Sequence, residues 1–178
     1  MSAADVLRFW FEEITPEQQW RRDPEFDRAL RARFGELHTA ASHAELWRWR
    51  DSASGRLAEI IVLDQFSRNL FRDDARAFAC DPLALGLAQE AVRIGADLQI
   101  APERRAFIYM PYMHSESRAI HSIAAELFRE RAPGNLDYEV RHQAIIDRFG
   151  RYPHRNAVLA RESTAEELAF LATPGSSF

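Results

Sequence analysis

A chain of 178 residues with 47% apolar content can bury the core of one domain without disulfides or structural metal, so residues 1–178 are read as one domain. Its formal charge of -4 offers no general attraction to nucleic acid or to an anionic membrane surface. All 23 basic residues are arginine, which removes any lysine for a Schiff base to a substrate or pyridoxal phosphate, or for a phosphate-binding loop.

The single Cys80 excludes an internal disulfide, a cysteine-rich zinc site and a self-contained iron–sulfur cluster, and fits a reducing cytoplasm. It is read as an inert packing residue. Asp5 and Arg8 interrupt what would be the apolar stretch of a secretion signal, and nowhere does an apolar run reach the roughly 20 residues that span a bilayer.

In chain order, Ser2 with Asp5 resembles a capping box ahead of Val6, Leu7, Trp10, Phe11 and Ile14. Thr15-Pro16 and Asp23-Pro24 each put a capping side chain before a first-turn proline, the second leading into Phe26, Leu30, Phe34 and Leu37. Further helices are predicted over 54–70, 82–94 (opened by Asp81-Pro82), 115–131, 138–149 and 164–172, the last behind a second capping box at Ser163 and Glu166. Gly95, Gly134 and Gly150 mark helix ends, while Pro111 and Pro153 read as breaks. No period-two strand pattern competes, so the predicted fold is all-α, with a loose tail from Pro174 to Phe178. The tryptophans at 10, 20, 47 and 49 are expected mostly to fill the core, and no nucleic-acid surface is read from them.

Three polar clusters stand inside this apolar pattern: Asp64-Gln65-Phe66-Ser67-Arg68-Asn69, His114-Ser115-Glu116, and Arg148-Phe149-Gly150-Arg151-Tyr152-Pro153-His154-Arg155-Asn156. Ionisable groups are costly to bury unpaired, so these either satisfy one another or await a ligand. Asp64 and Arg68 can pair at i, i+4 on a face beside the stripe of Leu57, Ile60, Leu63, Phe66 and Leu70; a solvated ion pair is the simpler alternative. Glu116 shares a helical stripe with Ile120, Ile123 and Leu127, and so points toward the core, as a cap, an arginine partner or a proton carrier. Arg148, Arg151 and Arg155 repel one another unless acids or a bound carboxylate or phosphate compensate them.

His142 falls on the stripe of Tyr138, Ile145 and Phe149 and reads as a satisfied core histidine; His38 and His43 carry no signal. His114 and His121 are about 10 Å apart along a helix axis, too far to share an ion, and no His-Glu-x-x-His is present, so no metal site is predicted. No dinucleotide-binding glycine pattern is found, and no cofactor is implied.

The three clusters, together with Phe9-Trp10-Phe11 and the segment from Ser163 to Leu171, resemble the bacterial domain-of-unknown-function family 924 over nearly the whole chain. The resemblance implies an array of antiparallel helix pairs, tetratricopeptide-like, and brings no established activity. One departure stands out: the family pattern usually has Gln where this chain has His121.

The leading expectation is that the clusters converge on an Arg-lined pocket for a small anionic metabolite. There Glu116 and His154 would exchange protons, His114 and Asp64 would assist, and Arg68, Arg148, Arg151 and Arg155 would hold the anion. Gln65, Asn69, Ser115 and Asn156 would complete the polar lining. The alternatives are a helical adaptor binding a peptide in a groove, or a network that only braces the helices.

Overall fold

The computed structural model describes residues 1–176, and it is helical throughout them with no strand. Ser177 and Phe178 of the predicted tail lie outside the described residues; Ser176 is buried and donates to the Leu171 carbonyl. Helices α1 (Ala3–Arg8), α2 (Pro16–Trp20) and α3 (Pro24–Ser42) begin at Ser2, Thr15 and Asp23, whose side chains accept backbone N–H groups as capping predicts. α1 runs on into a wide π turn, Phe9–Glu13.

α4 (Ala53–Ile61), a second π turn (Val62–Phe66) and α5 (Ser67–Leu70) form one continuous segment at the centre of the molecule. It packs on α1, α3, α6 (Asp81–Arg93) and α7 (Pro102–Met113), and every residue from Leu57 to Ser67 is buried. A helix surrounded in this way needs apolar residues on all sides, not along one stripe. The face carrying Ile61 and Asp64 is therefore as dry as the face carrying Ile60 and Leu63. Around this core α7, α8 (Arg118–Arg131) and α9 (Leu136–Phe149) each pack on the next, and α10 (Ala165–Leu171) follows. Ile145, Ile146 and Tyr152, with Phe149 and Phe170, make a small second core.

Several local expectations change. Pro111, read as a break, sits in the last turn of α7, a helix that apolar spacing did not announce. The helix predicted from Ser115 starts at Arg118, which leaves His114 to Ser117 as a bend between α7 and α8. Cys80, not Asp81, occupies the cap position of α6, which frees the Asp81 carboxylate for ion pairs. Thr164 with Glu167 forms the last capping box, one residue past the predicted pair. Trp10 is in the core, but Trp20 and Trp47 are exposed. His38 is buried against Ser67, at 2.7 Å. No helix of the described residues is long and apolar enough to cross a membrane.

Gly55 is the tightest backbone approach, since an added Cβ would stand 2.0 Å from the Trp49 carbonyl oxygen. Gly55→Ala should cost about 2 kcal/mol or more and lower the melting temperature by about 5 °C. A variant that melts with the parent would contradict this packing of α4 on the Trp47–Asp51 turn.

Candidate functional site

The wide turn at Val62–Phe66 carries Asp64, which is fully buried, into contact with the end of α7. Its Oδ1 accepts a hydrogen bond from His114 Nδ1 at 2.7 Å and lies 3.3 Å from Arg68 Nη1, while Oδ2 accepts from the Gln65 amide at 2.5 Å. Burial by itself would raise the carboxyl pKa, but Arg68, His114 and Gln65 outweigh it and hold Asp64 well below the usual carboxylate range. Burial and the neighbouring Arg68 push His114 below the ordinary imidazole range, against the pull of Asp64, so its ring is neutral at pH 7. A carboxylate only accepts, so Nδ1 carries the proton and Nε2 is left as the basic nitrogen.

Arg68 also grips Asp81 at the start of α6 through both terminal nitrogens, at 2.9 and 3.1 Å, and donates to the Asp64 carbonyl at 2.8 Å. Arg155, from the Pro153–Arg155 turn, reaches the same Asp81 at 3.4 Å. Its guanidinium carbon lies 4.5 and 4.6 Å from the ring centroids of Phe78 and Tyr152. The residue is 6% exposed and its buried Nε has no hydrogen-bond partner.

Glu116 is held by a clamp. Oε1 accepts the Tyr152 backbone N–H at 2.7 Å, and Arg161 binds both oxygens, at 2.6 and 3.0 Å. Burial raises its pKa, yet Arg161 and the Tyr152 N–H bring the net shift downward, so Glu116 is a locked carboxylate. The bend itself is braced from below, where His121 bonds the Ser115 carbonyl through Nε2 at 2.8 Å and Glu139 through Nδ1 at 2.7 Å. His142 is buried, with Nδ1 donating to the Tyr138 carbonyl. Burial, opposed by that bond, lowers its pKa to about 3; burial reinforced by Arg155 lowers that of His154 to about 4.

These elements border a half-open hollow of about 350 Å³. Its lining mixes the polar Asp81, His114, Ser115, Glu116 and Arg155 with the apolar Phe78, Pro82, Leu85, Pro111 and Leu159. A second hollow of about 630 Å³ beside Arg50 and Gln99 contains none of the predicted site residues, and its Arg50 is bound to the buried Glu59. Among the described residues no group of three His, Cys, Asp or Glu side chains could hold a metal ion.

The predicted residues thus divide. Asp64, Arg68, His114, Ser115, Glu116 and Arg155 come together, with His154 beside Tyr152 at a ring separation of 5.5 Å. Arg148 and Arg151 turn away to Glu166 and Glu167, where Arg151 secures the cap of α10. Asn69 bonds Asp27 on another face, Gln65 is spent on Asp64 and Met110, and Asn156 is fixed between Ser163 and Arg161. Sequence reasoning missed Asp81, Phe78 and Arg161. A count of counter-charges for the arginines could have suggested Asp81, whereas nothing local marks Arg161.

Comparison with known proteins agrees with this architecture. The family model described as "Bacterial protein of unknown function (DUF924)" matches residues 6–175, and the chain belongs to that family. A solved protein of unknown function from Agrobacterium tumefaciens, ATU0120, superposes with a TM-score of 0.91 at 39% identity, covering 96% of each chain. No curated protein matches.

The buried His142 and the half-buried His154 give stability a sign with pH. His142 and His154 bind protons near 6.5 when unfolded and only near 3 and 4 when folded. Their neutral burial therefore costs nothing above about pH 6.5 and erodes stability as pH falls toward those folded values. Asp64 acts lower: its folded pKa is depressed, so its contribution persists above about pH 4 and is lost in stronger acid. Urea unfolding should show stability falling steadily from pH 7 to 4, with the His154 ring resonance unmoved until near the lower limit. A flat profile would contradict the neutral burial. Asp64→Asn should cost about 3 kcal/mol at neutral pH, the scale for breaking a buried pair.

Proposed function

We propose that this DUF924 member binds a small anionic metabolite in the cavity between α6, the α7–α8 bend and the Pro153–Arg155 turn. The observation that carries the proposal is Arg155. A guanidinium has five N–H donors, and this one, almost fully buried, has a single long bond to Asp81 and an unpartnered Nε. An under-supplied buried cation at a cavity wall is suited to an incoming carboxylate or phosphate.

His114 is the group best placed to exchange a proton with such a ligand. Asp64 orients its ring and fixes the Nδ1–H tautomer, as a carboxylate does for a histidine acting as general base. This moves the proton-carrying role away from Glu116, which Arg161 clamps, and away from His154, and leaves both as neighbours that shape the pocket. Arg68 serves as the counter-charge of Asp64 and Asp81, so the ligand falls to Arg155. An adaptor role has less support, because the polar side chains gather on a cavity of about 350 Å³, a volume for a small molecule.

Titration with sodium acetate and with inorganic phosphate, against chloride at constant ionic strength, tests this by NMR of the His114 ring. At least one of the two anions should move the ring resonances saturably, while Arg155→Met, checked for folding by circular dichroism, should respond about tenfold more weakly or not at all. Ring nitrogen shifts should report an unprotonated Nε2 at neutral pH. A parent protein that responds to both anions as it does to chloride would sink the assignment.

A further inference from the structure

We infer that the ligand is a monocarboxylate with an apolar body: the carboxylate lies on Arg155 and the body on the wall of Phe78, Pro82, Leu85, Pro111 and Leu159. This deepens the anion-pocket proposal above and rests on it.

The charge balance around the cavity decides between monoanion and dianion. Arg68, Arg155 and Arg161 stand against Asp64, Asp81 and Glu116, every one of them in an ion pair within this group. The histidines closest to them, His114 and His154, are held neutral by burial. In a shell balanced in this way each negative charge of the ligand adds to an already neutral site. A phosphate, with nearly two at neutral pH, is therefore disfavoured more than a carboxylate with one, which the unpartnered Nε of Arg155 can meet. The balance also puts the Asp81 and Glu116 carboxylates in the same lining as Arg155, where they repel a second negative charge.

Geometry agrees. The ring centroids of Phe78 and Tyr152 lie 4.5 and 4.6 Å from the carbon of the Arg155 guanidinium, whose N–H donors lie in its plane, where a planar carboxylate can meet them side by side. Phe78, Pro82, Leu85, Pro111 and Leu159 give the same lining an apolar share, and burying a methylene against them is favourable by enough to tighten binding about fourfold. The charged and apolar parts of the lining together describe an amphipathic acid.

The test is a homologous series, acetate, butyrate and hexanoate, with hexanol and hexyl phosphate as comparators, followed by the His114 ring resonances. Affinity should rise about fourfold per methylene until the cavity is filled. Hexanoate should exceed both comparators. Arg155→Met should weaken hexanoate by about tenfold or more, to the level of hexanol. Should that variant misfold, Leu85→Ser, at a half-buried position, should flatten the chain-length dependence. Tighter binding of hexyl phosphate or inorganic phosphate, lost in Arg155→Met, would overturn the monocarboxylate and leave the anion pocket standing. Hexanoate binding no better than acetate would overturn the apolar wall. No response to any anion would overturn both proposals together.

Discussion

The arrangement depends on one buried carboxylate. Asp64 sits in the middle of the central helix with no access to water, and a charge there is tolerable only if other elements come to meet it. Three do: α7 through His114, α6 through Asp81 by way of Arg68, and the Pro153–Arg155 turn through Arg155 on the same Asp81. The wide turn at Val62–Phe66 makes room for this by opening the helical ring at the position of the acid. One chain of alternating charges, Asp64, Arg68, Asp81 and Arg155, therefore ties segments that lie up to 91 positions apart in sequence (64 to 155) into one wall.

That chain is not uniformly satisfied, and Arg155 is where it differs from the other buried ion pairs. Arg50, Arg72, Arg151 and Arg161 each hold a carboxylate by two nitrogens at hydrogen-bond distance, a closed geometry with its donors well used. Arg155 is more buried than any of them and has far fewer acceptors. Bracing accounts for Arg151 and leaves Arg155 unexplained. In a protein whose only strong cation is arginine, the exceptional guanidinium is more informative than their number.

The fold class was legible because capping and helical periodicity are local. Ser2, Thr15 and Asp23 start helices where their neighbours say they should, and Gly150 ends α9 in the left-handed conformation. α7 was not legible, since Pro111 mimics a break and the helix is buried along Ala106 to Met113, without the alternation that a one-sided helix displays. The site was half legible. Asp64, Arg68, His114, Glu116 and Arg155 stand in clusters dense enough to notice. Their partners Asp81 and Arg161 look, in sequence, like a helix cap and an ordinary loop residue. Missing the bend also misplaced Glu116: as part of a helix it would face the core, while in the bend it turns to the backbone of Tyr152.

The bend shows why an apparently structural histidine matters to the site. His121 is completely buried, and its Nε2, bonded to a carbonyl that can only accept, must carry a proton. Nδ1 meets Glu139, whose burial raises its carboxyl pKa. The pair holds the Ser115 carbonyl in place, and the Tyr152 hydroxyl bonds both His121 and the Met113 carbonyl. A segment that belongs to no helix is thus pinned at Met113, Ser115 and Glu116.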